Sequence, residues 1–458
     1  MSGDGVREER VQPLNGKDVV RGDYVLYWMQ QSQRAEDNPA LEYAVSRANA
    51  LDLPLLVVFG LTDDYPEANL RHHAFMLEGL RETQRALEER GIKMLVRRGS
   101  PKKVALEAAK DAALVVCDRG YLHHQRRWRE EVARGARCEV VQVESDVVVP
   151  IELASEKRET AARTLRPKIK HHLEDFLVLP EKQEVERSSL GLRCKGLDLT
   201  DAEAVLRAMD LDRSVPPVGH LFRGGTKEAG RLLERFLREH LSSYARNRNQ
   251  PHTDDVSHMS KYLHFGQISP VYVALRVLDS GAPEEDVAAF LEELVVRREL
   301  AINFVFYTPD YHRYSSLPEW ARRTLAEHRD DEREHIYTRS QLEDAATHDP
   351  YWNAAMNELR HTGYMHNHMR MYWGKKILEW TGTPEYAYRT ALYLNNRYFL
   401  DGRDPNSYAN VGWVFGLHDR GWPEREIFGK VRYMSEGGLR RKTDPDAYVR
   451  KVRDLVLG

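Results

Sequence analysis

Cysteine is scarce: Cys117, Cys138 and Cys194 are the only three in 458 residues. An odd number without CxxC spacing cannot build a disulfide framework and fits a reducing compartment. Long apolar runs are missing too, since no window approaches the ~18 uninterrupted apolar residues of a membrane span. The N-terminal MSGDGVREER carries charges where a signal peptide carries its apolar stretch, so a soluble, cytoplasmic chain with no membrane partner is expected. Nor does one sign of charge dominate: 68 Lys+Arg minus 71 Asp+Glu gives -3. That balance excludes a uniformly basic nucleic-acid coat and confines any DNA site to a local patch. Internal repeats and low-complexity tracts are absent, and no GxGxxG or GxxxxGKS follows the first strand-like run, where MQQSQRAEDNP stands instead.

What the chain does have is length, a 41% hydrophobic fraction and an aromatic excess of 8 Trp and 22 Tyr. The length suggests two or three domains and a sizeable core. From residue 23 to about 150, short β-rich runs (DYVLYWMQ, LPLLVVFG, IKMLVRR, AALVVCD, CEVVQVE) alternate with segments of helical period such as 70–90 and 101–111. Strand, helix, strand at this spacing requires crossover connections, hence a parallel sheet covered on both faces. Residues 1–180 are therefore expected to form a Rossmann-like α/β domain. The stretch 181–225, with EKQEVERSS and SVPPVGHLFRGG, reads as a linker. After Thr226 no β-rich run recurs, and KEAGRLLERFLREHL, 285–306, 340–346 and 364–380 have 3.6-residue apolar spacing, so 226–458 reads as all-helical.

Several constellations carry chemistry, each with an ordinary alternative. The glycines of RGGTKEAG could face a phosphate, but Thr226 as a helix N-cap explains them better. In SHMSKYLHFGQIS, Ser257 and Ser260 lead into an aromatic segment; hydroxyls and free N–H groups at a helix start suit a pyrophosphate, while a capped helix with packed Tyr262 and Phe265 is the simpler reading of that stretch alone. Glu293 and Arg297 are spaced i,i+4 on an otherwise apolar helix, usually a solvated rung. Trp373 and Trp380 are i,i+7, so they share a helix face about 10 Å apart, a spacing that suits electron hopping and equally plain core packing. His361, His366 and His368 lack ligand spacing, and no metal is expected. Asn395, Asn396, Asp401, Arg403 and Asp404 form a turn dense with polar groups that a buried heterocycle could use. Over 420–458 ten Lys/Arg stand against six acids, or +4; Arg440, Arg441 and Lys442 form the densest part of this candidate phosphate-contact patch.

Taken together, SHMSKYLHFGQIS, EELVVRREL, REHIYTRSQLE, THDPYWN, MHNHMRMYWGKKILEW and DGRDPN, in this order, closely resemble the class II cyclobutane pyrimidine dimer photolyases. The resemblance runs from YVLYWMQQSQRAEDNPAL to FGKVRYM, nearly the whole chain. It implies an antenna-type α/β domain and a helical domain holding U-shaped FAD. Photoexcited FADH⁻ passes an electron to a thymine dimer flipped out of double-stranded DNA, the cyclobutane ring splits, and the electron returns. The activity that the resemblance implies is that of a carbon–carbon lyase. Carried over by position, Tyr244, Ser257, Met259 and Ser260 fall where the family contacts the FAD ribityl and phosphate chain, Asn395 where an asparagine faces flavin N5, and Asp401 and Asp404 beside the flavin ring. Glu293 falls at the carboxylate that hydrogen-bonds the dimer's base edge, Trp413 at the indole packed on the lesion, and Arg248 at a lesion-side arginine. Trp352, Trp373 and Trp380 match the tryptophans that relay an electron from the surface to photoreduce oxidised flavin.

Three departures stand out: Lys261 where the family usually has proline, Asn396 where aspartate usually follows the N5-facing asparagine, and a segment Trp413–His418 one residue short. An antenna chromophore of unknown identity is compatible with the resemblance. A monomer is expected, nucleoid-associated if prokaryotic. The rival reading is a cryptochrome-like blue-light photoreceptor that binds FAD without repair. Such receptors commonly carry a long C-terminal extension, whereas this chain stops at Gly458 and keeps Glu293 and Trp413.

Overall fold

The computed structural model describes residues 5–457, which fall into two compact units. The first comprises the described residues up to Glu156 with Lys168–Leu233 and His258–Asp279; the second comprises Lys157–Pro167, Glu234–Ser257 and the described residues from Ser280 onward.

In the first unit the five β-rich runs become β2 (Tyr24–Trp28), β3 (Leu55–Leu61), β4 (Lys93–Arg98), β5 (Ala112–Asp118) and β6 (Val140–Val143), all parallel. A sixth strand, β1 (Val11–Pro13), pairs antiparallel to β6, giving the order β1-β6-β5-β2-β3-β4. Three residues are too few for a readable alternation, which is why β1 escapes sequence analysis. Successive residues of the parallel strands feed opposite cores. Tyr27, Val57 and Val116 pack with the helices Pro39–Ala50 and Leu70–Glu89, while Leu26, Leu56 and Val115 pack with Pro101–Ala108 and His123–Gly135. Burial on both faces makes these strands continuous apolar runs.

The chain order reverses between β2 and β5, the crevice where open α/β sheets usually bind phosphates. Here the backbone N–H groups of Gln30, Gln31 and Ser32 converge on the Asp118 carboxylate at 2.8 to 3.1 Å. The chain's own anion fills the nest, which accounts physically for the missing phosphate loop.

The stretch 181–225 is more than a connector. It forms the helix Ala202–Ala208 and contributes Leu199, Val205, Met209 and Leu211 to the first unit's core. Thr226 is the first residue of its helix rather than the cap, and its hydroxyl donates to the Gln267 carbonyl at 2.8 Å.

The second unit is helical. Three of its helices start at Asp-Pro or Thr-Pro steps: Asp349, Thr383 and Asp404 each accept first-turn backbone N–H groups, and proline sets the first helical residue of Pro350–Thr362, Pro384–Tyr398 and Pro405–Val414. Gly363, at φ 70, ends the first of these in the left-handed conformation that glycine adopts freely. Among the described residues no helix is long and apolar enough to cross a membrane.

Candidate active site

The helix Glu284–Leu291 runs through a π-helical turn, Glu292–Arg297, into the helix Arg298–Tyr307. This turn overrides the expected Glu293–Arg297 rung. A π turn aligns residues five apart, so Arg297 Nε donates to Glu292 at 2.9 Å, and Glu292 also accepts Arg166 at 2.8 and 2.9 Å. Glu293 is left to face elsewhere, and its carboxylate accepts Arg248 Nη2 at 2.7 Å.

Both members of that pair line a cavity of about 430 Å³ within the second unit. Asn395, Trp373 and Trp413 line it as well, with Arg297, Arg370, His418 and Arg432. Its lining has four guanidinium groups (Arg248, Arg297, Arg370, Arg432) and one carboxylate, Glu293. Each of these arginines is steered by a carboxylate. Arg370 Nη2 reaches both Asp401 oxygens at 2.9 and 3.0 Å, and Arg432 Nε reaches Asp419 at 2.7 Å. Arg370 also lies 3.7 Å over the Phe399 ring.

Asn395 is buried near the end of the helix Pro384–Tyr398, where its Nδ2 donates to Asn396 Oδ1 at 3.0 Å. Asn396 Oδ1 also accepts the Arg403 backbone N–H at 2.9 Å. An amide thus replaces the expected aspartate as the acceptor that ties the helix end to the turn. The turn itself needs glycine, because a Cβ at Gly402 would stand 2.9 Å from the Asn395 and Phe399 carbonyl oxygens. Asp404 is used as a helix cap, accepting the backbone N–H and the side-chain amide of Asn406 at 2.9 Å each.

Two basic side chains pack on Trp413. Lys375 Nζ, fully buried, donates to the Val414 carbonyl and lies 4.8 Å from the Trp413 ring centroid. Arg432 approaches the same ring at 5.6 Å. Burial pushes the Lys375 ammonium down to about 7, with Asp419 opposing and Arg432 adding to the shift. The short segment after Trp413 closes as a tight reversal, with Gly416 at φ 100 and His418 at φ 58. His418 meets the cavity; burial first, then Arg158 and Arg297, push its imidazole down to about 3, so it is neutral.

The tryptophans join into one file. Trp373 and Trp380, expected to face each other along a helix, are bridged by Trp352 from the neighbouring helix. Trp352 stacks on Trp373 at 6.5 Å and 9° and meets Trp380 edge-on at 6.0 Å. Its indole N–H donates to the Trp373 carbonyl at 3.0 Å. All three are buried, and Trp373 forms part of the cavity wall.

The remaining expected contacts lie off this cavity's lining. Tyr244 is buried against Phe236 and Phe290, and burial pushes its phenol up to about 12. Ser257 is half-buried, Met259 is buried, and Ser260 is exposed at the start of the five-residue helix Ser260–His264. Lys261, in place of proline, is buried; its Nζ donates to the His258 carbonyl at 3.2 Å and sits 3.9 Å over Phe222. Arg440 pairs with Glu436 and Asp446 and lies over Tyr351, whereas Arg441 and Lys442 are exposed. Sequence reasoning passed over Arg370 and Lys375, and took Arg432 only as one charge of the C-terminal patch and His418 only as the end of the short segment. Single basic residues among many carry no periodic signal, and only their convergence on Asn395 and Trp413 marks them out.

A parallel-sheet unit and a helical unit of this kind in one chain form the fold shared by photolyases and cryptochromes. Residues 25–187 match the sequence profile of the DNA photolyase family. The deoxyribodipyrimidine photo-lyase of Methanothermobacter thermautotrophicus is 53% identical over 453 residues, spanning 98% of this chain and 99% of its own. The protein of the same name from Arabidopsis thaliana is 39% identical over 94% of this chain and 89% of its own. Among solved structures, a bacterial class III photolyase from Agrobacterium tumefaciens superposes with a TM-score of 0.74 at 20% identity, covering 94% of this chain and 87% of its own. The chain belongs to the photolyase/cryptochrome family.

Proposed function

We propose that the chain is a cyclobutane pyrimidine dimer photolyase of the class II type, a light-driven carbon–carbon lyase that repairs double-stranded DNA. Near-complete coverage at 53% identity to a deoxyribodipyrimidine photo-lyase supports the repair activity. The observation that carries the residue roles is the convergence of Arg248, Glu293, Asn395 and Trp413 on one arginine-lined cavity walled by Trp373.

The residues fit FAD. A cavity of this size is in the range of ligand sites. The indole N–H of Trp373 is a buried donor with no acceptor among the described residues, on a side chain that lines the cavity. Asn395 and the Arg370–Asp401 pair add amide and charged groups suited to a flat polar heterocycle. Bound as FADH⁻, the cofactor supplies the photoexcited electron that opens the cyclobutane ring.

The chain's own residues then do the following. Asn395, with Asp401 and Asp404 in the following turn, would hold the flavin and tune its protonation. Tyr244 and Ser257 would hold the ribityl and phosphate chain. Trp413 offers an indole face to the flipped dimer, held against movement by Lys375 and Arg432. The Glu293 carboxylate accepts an N–H from the base edge, and Arg248 fixes that carboxylate's orientation. Trp380, Trp352 and Trp373 pass an electron inward when the cofactor is oxidised; ring separations of 6.0 and 6.5 Å support that path. The sheet-bearing unit serves as the antenna-type domain and the helical unit as the catalytic one, working as a monomer.

Blue-light illumination of the reduced protein with an oligonucleotide carrying one thymine dimer tests the reading. Restored thymine monomers are expected. Bound FAD without monomers favours the photoreceptor alternative. The absorption spectrum of the same sample reports any antenna pigment.

A further inference from the structure

The tryptophan file does not end at Trp380. On the side of Trp380 away from the cavity stand Tyr337 and His348, with ring centroids 5.7 and 4.9 Å from the Trp380 ring, both edge-on. Tyr337 Oη and His348 Nδ1 are 2.8 Å apart. The His348 backbone N–H also donates to the Tyr337 oxygen at 3.0 Å. In the imidazole tautomer protonated at Nε2, Nδ1 accepts the phenol's one proton.

The pair is rigidly placed. Tyr337 N–H donates to the Trp380 carbonyl at 2.9 Å, and the residue precedes the capping Thr338. His348 precedes Asp349, the cap of Pro350–Thr362. His335 packs on His348 with centroids 3.7 Å apart. Lys376 Nζ lies 5.5 Å from the Trp380 ring, a cation that disfavours a positive hole on that indole. Burial, then His335, hold the His348 imidazole below the ordinary histidine value, with Lys376 adding and Asp349 and Glu334 opposing, so at neutral pH it is an unprotonated acceptor.

We infer that Tyr337 is the terminal electron donor of the relay and His348 its proton acceptor. The inference rests on the reading of Trp352, Trp373 and Trp380 as the photoreduction path. The step balances. The Trp380 radical cation takes one electron from Tyr337, the phenol O–H bond breaks, and the proton moves to His348 Nδ1. Neutral Trp380, a neutral tyrosyl radical and an imidazolium result. The imidazolium beside Trp380 opposes return of the hole to the indole. Tyr337 is half-buried and His348 exposed, so a dissolved one-electron reductant such as a thiol reaches the radical; its electron and the proton from His348 restore the phenol.

Transient absorption and electron paramagnetic resonance of the oxidised holoprotein after a light flash test this. The tryptophan radical is expected to convert to a tyrosyl radical, more slowly in deuterated water. Tyr337→Phe, which keeps the ring, should form the tryptophan radical and no tyrosyl radical. His348→Gln should slow the conversion on the order of a hundredfold, the range of a positioned base, without affecting tryptophan-radical formation. A tyrosyl radical that persists in Tyr337→Phe, or a wild-type tryptophan radical that decays with no tyrosyl signal, overturns the inference. Absence of any tryptophan radical in the wild type refutes the relay itself, which is a different result.

Discussion

Arg248 and Glu293 form an ion pair 2.7 Å long at the wall of the helical unit's cavity, and the pair exists because the π turn at Glu292–Arg297 turns Glu293 away from Arg297. Both side chains are partly exposed, so the pair is worth at most about 1 kcal/mol to folding. Glu293→Gln is therefore expected to leave the melting temperature nearly unchanged. Repair of a dimer-containing oligonucleotide by pre-reduced protein should fall on the order of tenfold, about 1.4 kcal/mol. Thymine monomers released per absorbed photon give the answer. Wild-type repair by the variant removes Glu293 from the site.

Trp373→Phe separates light activation from repair. The substitution interrupts the file between the cavity wall and Trp352, whose rings stack at 6.5 Å. Photoreduction of oxidised protein should be lost, while repair by chemically pre-reduced protein remains nearly intact. Equal loss of both in the two assays contradicts the relay role.

Lys375 gives stability a pH signature. Its folded value of about 7 lies below the ordinary 10.5. Between these values the unfolded chain holds a proton that the folded chain does not, so this group makes stability rise with pH, by up to about 1.4 kcal/mol per unit. Below about 7 both states hold the proton and the contribution is flat. In urea unfolding at several pH values across that window, the stability of wild type minus that of Lys375→Met should grow as pH rises. Parallel curves would show that the lysine does not titrate there.

The C-terminal basic patch divides by its partners. Arg440 is tied to Glu436 and Asp446, whereas Arg441 and Lys442 are exposed. Duplex affinity should fall steeply with salt, and Arg441→Ala and Lys442→Ala should each reduce the slope of log K against log salt by about 1. Arg440→Ala should change it less. Fluorescence anisotropy over a salt series decides; an unaltered slope in the first two variants excludes them as phosphate contacts.

Much of this molecule is written locally. The parallel strands are legible because burial on both faces makes each a short apolar run, and the helix starts because Asp349-Pro350, Thr383-Pro384 and Asp404-Pro405 carry their own capping chemistry. By itself, then, the sequence determined an α/β region followed by a helical one, and its motifs singled out Glu293, Asn395, Trp413, Trp352, Trp373 and Trp380. Other features depend on groups distant along the chain. The β1 strand exists only as a partner for β6, and residues 199–211 look like a connector until they meet the first unit's core. The Glu293–Arg297 rung is correct for an α-helix and fails because the helix is π-wound there. Trp352 comes between Trp373 and Trp380 only through helix packing, and Arg370, Lys375, His418 and Arg432 acquire meaning only where they meet. Spacing reports what a segment can satisfy alone, whereas the pairing of charges and rings across helices is settled by tertiary packing.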